Sequence, residues 1–233
     1  MNEKVIFFDA GPIISLVMSR LIWILPELKK KFNGRFYITP AVRYELVDRP
    51  LSGKRFEFEA LQVAKLIREG VLEVFEKVPQ KKSRELSNLA NSSFSVNNRS
   101  LEILQSGEME SVSSAVSVGA DAVVIDERTL RLFIEKRASM KRYLKTRFRH
   151  NVSEDTAKID QFASYFKGLT ILRSIELVAV AYKMGLLDSY ILPQKDGRET
   201  LLDAVLWATR YNGCAVTEHE INEIKASLLK KSF

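Results

Sequence analysis

Cysteine and histidine are almost missing from this chain of 233 residues, which has one cysteine, Cys214, and two histidines, His150 and His219. A single thiol excludes an internal disulfide and any cysteine-based metal cluster, and two imidazoles argue against a histidine-rich metal site. Long hydrophobic runs are missing too. Residues 5–25 are apolar, yet Asp9, the Gly11-Pro12 pair and Arg20 interrupt them, and the longest charge-free run there, residues 10–19, is ten residues. A bilayer span needs about 20, and a secretory leader needs a basic start. The sequence therefore reads as that of an intracellular, cytoplasmic protein without a membrane partner. Its length suits one decorated domain and not an array, and 46% hydrophobic with 28% charged residues excludes wholesale disorder.

Charge is unevenly spread. The chain carries 36 Lys and Arg against 29 Asp and Glu, a net of +7. Nine of those cations (Arg128, Arg131, Lys136, Arg137, Lys141, Arg142, Lys145, Arg147 and Arg149) fall between positions 128 and 149 beside a single acid, Glu135. That segment is +8, and the remaining 27 basic and 28 acidic residues leave the rest of the chain at −1. One cationic stretch on a neutral body implies a polyanionic partner for that stretch, and nucleic acid is the commonest.

Short apolar runs alternate with helical spacing. Val5-Ile6-Phe7-Phe8 reads as a buried strand ending at Asp9, with a helix over residues 13–25. Phe36-Tyr37-Ile38 is a second strand, after which Thr39 offers an N-cap and Pro40 the first helical position. A helix over 56–69, a strand over 71–75 and a helix over 107–118 follow. Ala122-Val123-Val124-Ile125 then ends, like the first strand, at an aspartate, Asp126. Residues 87–100, nine of fourteen of them Ser or Asn, read as a surface loop or hinge. The C-terminal part offers a strand over 169–172 and helices over 174–184, 199–212 and from the capping box at 217–220. Such alternation predicts an α/β fold with a mostly parallel sheet covered on both faces, its ligand site at the carboxyl ends of the strands.

Acids gather at that edge. Asp9 and Asp126 end two strands, Glu45 lies in the first turns of the helix after a third, and Glu108 and Glu110 open the helix that feeds the Asp126 strand. Two bare carboxylates about 4 Å apart repel by about 4 kcal/mol at an effective dielectric of about 20, so such a cluster raises a pKa or takes a cation. With so few sulfur and imidazole ligands, the cation is a hard one, Mg²⁺ or Mn²⁺. The plainer alternative is that Asp9 and Asp126 cap helices while the glutamates are solvated.

Taken together, the apolar strand then Asp9, Thr39-Pro40-Ala41-Val42 then Glu45, Gly107-Glu108-Met109-Glu110, and Gly119-Ala120-Asp121-Ala122-Val123-Val124-Ile125-Asp126 resemble the four successive motifs of the PIN domain family. The resemblance spans residues 4–135 and resumes more weakly over 168–225. It implies a three-layer α/β/α fold and a metal-dependent endoribonuclease in which Asp9, Glu45, Glu108 or Glu110, and Asp126 hold one or two Mg²⁺ or Mn²⁺. Residues two apart on a helix point about 200° apart, so only one of Glu108 and Glu110 faces the metal. Ala10-Gly11 stand where the family usually has a Ser, Thr or Asn beside the first acid. Ser15 is left as the candidate hydroxyl there, and Thr129 near the fourth acid. The expected organisation is one domain over 1–233, with a basic insertion at 128–167 and a strand and helices at 168–233 that complete it.

The basic segment starts directly after Asp126 and interleaves Tyr143 and Phe148 with its cations. Arg128, Arg131, Lys141, Arg142, Lys145, Arg147 and Arg149 would contact RNA phosphates while the two rings stack bases. The competing reading is a solvated insertion whose aromatics pack on the body. The function expected is hydrolysis of RNA phosphodiesters. Rivals are a non-catalytic RNA- or ribosome-binding protein on the same scaffold, and the toxin of a toxin–antitoxin pair. The apolar terminal helices complete the core or, alternatively, form a homodimer seam.

Overall fold

The computed structural model describes residues 3–97, 99–104, 106–135 and 137–230, apart from the side chains of 106–108, 135, 137 and 138. Five parallel strands form the central sheet in the order β3-β2-β1-β6-β8, where β1 is Val5–Phe8, β2 Arg35–Ile38, β3 Glu73–Val74, β6 Ala122–Val124 and β8 Thr170–Leu172. Between β3 and β6 lie β4 (Phe94–Val96) and β5 (Arg99–Ser100), which pair antiparallel and are joined by β7 (Ser153–Glu154) in a separate three-stranded sheet.

The alternation of side chains along β1 explains the layering. Ile6 and Phe8 enter one core, with Phe36, Ile38, Ala122 and Val124, while Phe7 enters the other, with Val123 and Ile125. The first core is closed by α1 (Ala10–Met18), α2 (Ile24–Phe32), α5 (Glu57–Arg68), α11 (Ser174–Lys183), α12 (Gly197–Tyr211) and α13 (Glu218–Leu229). The second is closed by α6 (Gln80–Asn91), α7 (Ser106–Val118), α8 (Arg128–Glu135), α9 (Arg137–Phe148) and α10 (Thr156–Ser164). A strand buried on both faces has no polar side, which is why β1 and β6 read as unbroken apolar runs. The result is the α/β, three-layer arrangement expected.

Three local expectations need correction. The helix expected over 13–25 is two helices, because Arg20 takes a left-handed backbone (φ 59°) that ends α1 and turns the chain into α2. The loop expected over 87–100 is the end of α6 followed by β4 and β5. Ala90 and Phe94, with Leu86 just before the segment, are buried in the second core, Leu89 and Val96 pack partly against it, and Phe94 meets Phe133 edge-on at 5.4 Å. Three anchors suffice where Ser and Asn dominate the composition. The strand expected over 71–75 is shorter, Glu73–Val74, since Val71 and Leu72 still close the turn that ends α5.

The basic segment is two amphipathic helices, α8 and α9. Leu130, Leu132, Phe133, Met140 and Leu144 are buried, and Phe133 stacks on Phe162 of α10 at 4.4 Å. Arg128, Lys141, Arg142, Lys145, Arg147 and Arg149 are therefore displayed on a packed layer. Among the described residues no helix is long and apolar enough to cross a membrane.

Candidate active site

Chain order makes β1 the pivot of the sheet: the chain first adds β2 and β3 on one side, then returns to place β6 and β8 on the other. The crevice between β1 and β6, at their carboxyl ends, is the switch point where open parallel sheets bind ligands. Asp9 follows β1 directly and Asp126 follows β6 after Ile125, and the Asp9 amide donates to Val124 O at 3.0 Å, locking their register. Glu45 arrives from the β2 side. Thr39 caps α3 (Pro40–Arg43) by accepting from the Val42 amide at 3.4 Å, and the chain continues through a π-helical turn, Tyr44–Asp48, into α4 (Arg49–Leu51). Single π turns are rare and cluster at functional sites, and this one carries Glu45.

Asp9, Glu45 and Asp126 line one open cavity of about 580 Å³, together with Gly11, Arg128 and Tyr143. A second, more apolar hollow of about 540 Å³ adjoins it, sharing Ile14 and Glu45. The two aspartates differ in surroundings. Asp126 is buried and its oxygens are held: Ser15 Oγ donates to Oδ2 at 2.6 Å, Ser174 Oγ to Oδ2 at 2.6 Å, and the Ser174 amide to Oδ1 at 2.8 Å. Asp9 is buried with less support. Burial pushes its pKa up to about 6, and repulsion from Glu45 and Asp126 adds to this against partial relief by the Ala10 and Gly11 amides.

Ser15, expected to supply a hydroxyl beside the first acid, Asp9, donates instead to the fourth, Asp126. Thr129 is fully buried and its hydroxyl has no partner among the described residues. Ser174, from the first turn of α11, is the residue that reading the sequence missed; a Ser at a helix start in the C-terminal part is its only trace. Cys214 lies beside this support, and burial, then the Asp126 charge, pushes its thiol up to about 12, which leaves it inert at neutral pH. Glu110 accepts from Gln80 Nε2 of α6 at 3.4 Å and is not among the residues lining the cavity. The Glu108 side chain lies outside the described residues.

The candidate RNA-contacting residues divide. Arg128, Arg142, Lys145, Arg147 and Arg149 are exposed. Arg128 lies over the Tyr143 ring at 5.3 Å, and both line the acid cavity. Arg131 is 12% exposed and pairs with Glu220 at 3.1 Å, and Arg173 bonds the same oxygen at 3.1 Å. Its charge thus ties α8 to α13. Lys141 pairs with Glu154 at 3.3 Å, and Phe148 packs partly against the second core beneath Arg147.

A family model described as DUF3368, a PIN domain, matches residues 5–138, more than half of the chain and all three described acids. The chain belongs to the PIN domain family. No curated protein and no solved structure matches it. PIN domains are generally nucleases and typically use divalent metals. The residues here fit such an ion in kind: the donors are all carboxylate oxygens, and the repulsion that raises Asp9 is what a cation would relieve. Among the described residues, no three His, Cys, Asp or Glu form a group that could hold an ion by themselves.

Proposed function

We propose that this PIN domain is a metal-dependent endoribonuclease. The observation that carries the reading is the convergence of Asp9, Glu45 and Asp126 on one cavity at the switch point of the sheet, with Asp9 raised to about 6 by burial and by its two acidic neighbours. Asp9, Glu45 and Asp126 would hold Mg²⁺ or Mn²⁺, with Glu108 as the fourth acid, since Glu110 is engaged by Gln80 and position 108 lies about 200° around the helix from it. When bound, such an ion lowers the pKa of a coordinated water and neutralises charge developing on phosphate oxygens.

The chain's own residues do the rest. Ser15 and Ser174 fix the Asp126 carboxylate in one orientation, so that its position costs no reorganisation during the reaction. Arg128, at the cavity mouth, binds a phosphate, and Tyr143 offers a ring to a base. Arg142, Lys145, Arg147 and Arg149 hold the strand by charge. The test is cleavage of a labelled single-stranded RNA by wild type, Asp9→Asn and Asp126→Asn in Mn²⁺. Loss in both variants, with unchanged circular dichroism, is expected; variants that cut like the wild type would refute it.

A second reading has one observation behind it. Asp126 already takes three hydrogen bonds, as a purely structural carboxylate would. A PIN scaffold that binds RNA without cutting it would bind the same strand, with the same salt dependence, and show no Mn²⁺-dependent products.

A further inference from the structure

Helix α12 buries Leu201, Leu202, Leu206 and Thr209 against the first core, and its last turns carry a different group on the flank. Trp207 and Tyr211, one helical turn apart, stack with centroids 5.5 Å apart and planes 29° apart, and the Arg210 guanidinium lies 4.6 Å from the Trp207 ring centre. Trp207 is half-buried, whereas Tyr211 is 77% exposed, more than any other large hydrophobic residue among those described. A ring held by a neighbouring ring has little rotamer freedom left to lose, so stacking a ligand on its free face costs little entropy.

The place of this group in the fold gives it a use. Gly213, two residues beyond Tyr211 and so within about 7 Å by chain length, lines the acid cavity. A Cβ at Gly213 would come within 3.2 Å of Ser15 Oγ, the hydroxyl that holds Asp126. Asn212 Nδ2 donates to Ser19 Oγ at 3.2 Å, so the end of α12 is fixed on the end of α1 and cannot drift from the acids. Tyr143 already contributes a ring to the cavity wall from α9. A flat exposed ring with an arginine beside it, one short step from a carboxylate cavity, matches a nucleobase and its phosphate better than it matches an apolar protein face.

We infer that Tyr211, backed by Trp207 and Arg210, is a stacking platform for an unpaired base of the single-stranded RNA that enters the acid cavity. This rests on the endoribonuclease reading, and the test separates the two. Binding of a labelled single-stranded oligoribonucleotide is followed by fluorescence anisotropy in chelator, so that nothing is cut, for wild type, Tyr211→Phe and Tyr211→Ala. Strands with one abasic sugar, moved along position by position, serve as second probes.

Tyr211→Ala should weaken binding about 5- to 150-fold, the range for losing one stacked base, while Tyr211→Phe, which keeps the ring face, binds like the wild type. One abasic position should cost the wild type a similar factor and cost Tyr211→Ala nothing more, as expected of two partners in one contact. Equal binding by Tyr211→Ala and wild type, or abasic losses that simply add to those of Tyr211→Ala, would overturn the platform and assign the ring to a protein contact, whatever the protein does to RNA. The expected pattern without Mn²⁺-dependent cleavage would keep the platform and sink the nuclease reading. A wild-type protein that binds no strand in chelator overturns the platform, and the nuclease reading then stands or falls on Mn²⁺-dependent cleavage alone.

Discussion

Replacing Asp9 by Asn should make the metal-free protein more stable at neutral pH, an unusual outcome for a change in the interior. The Asp9 pKa rises from 3.8 to about 6 on folding, and each unit is worth 1.36 kcal/mol, so ionised Asp9 costs the folded state about 3 kcal/mol. The sign follows from proton binding. Between pH 4 and 6 the folded protein holds the Asp9 proton more tightly than the unfolded chain, so stability falls as pH rises through that window and levels off above it. Asn removes the titration and keeps an oxygen to accept from the Ala10 and Gly11 amides. For a chain of this size the gain corresponds to roughly 6–12 °C in Tm near pH 7.5 and to almost nothing near pH 4. Thermal unfolding by circular dichroism in chelator at both pH values measures it. Added Mn²⁺ should stabilise the wild type and narrow the gap, because an ion that binds only the folded state shifts its Tm upward. A variant no more stable than wild type at pH 7.5, or equally stabilised at both pH values, would refute the burial and repulsion assigned to Asp9.

Asp126→Asn should behave oppositely and lose about 1–3 kcal/mol in the same assay. Three hydrogen bonds from Ser15 and Ser174 weaken when their acceptor loses its charge; a stabilised Asp126→Asn would show that those bonds count for little. Glu220, held at about 2 by Thr217, Arg173 and Arg131 against its own burial, contributes stability that is present above its ordinary pKa and lost as pH falls from about 4 toward 2. Glu220→Gln should therefore lower the Tm at pH 7 and by much less at pH 2.5, and equal losses at both would contradict the ion-pair account. Comparison of Glu108→Gln with Glu110→Gln should find the large fall in turnover at Glu108 alone; a large fall at Glu110 would reverse the assignment. Neutralising Arg142, Lys145, Arg147 and Arg149 together should flatten the slope of log K against log salt for RNA by about 2 to 3, at about 0.7 per phosphate contact, and an unchanged slope would leave the segment without an RNA role.

The sheet and its acidic edge were legible because they depend on one-dimensional signals. Val5–Phe8 and residues 122–125 have no polar face, so they read as strands buried on both sides, and each delivers an aspartate to the same end. Thr39-Pro40 carried its cap chemistry in two letters, and so did the capping box at Thr217 and Glu220. What escaped depends on contacts distant in sequence. Ser174 meets Asp126 from 48 residues away, and no local pattern marks that meeting. Arg131 looks like any other cation of the basic run until Glu220, 89 residues later, takes its charge. Phe133 lies among those same cations in sequence, yet it is stacked on Phe162 inside the second core. In residues 87–100 composition outweighed position: Ser and Asn suggested a loop, whereas Ala90 and Phe94 are buried anchors.

Under the proposed function, the acids on this cavity cut RNA with a bound divalent ion. Its most direct test is incubation of the pure protein with a mixed pool of single-stranded RNA, in Mn²⁺ or in chelator, alongside Asp9→Asn as the matched control. Discrete shortened products should form with wild type in Mn²⁺ and in neither of the other two conditions. Products that persist in chelator, or that Asp9→Asn forms equally well, would contradict the account.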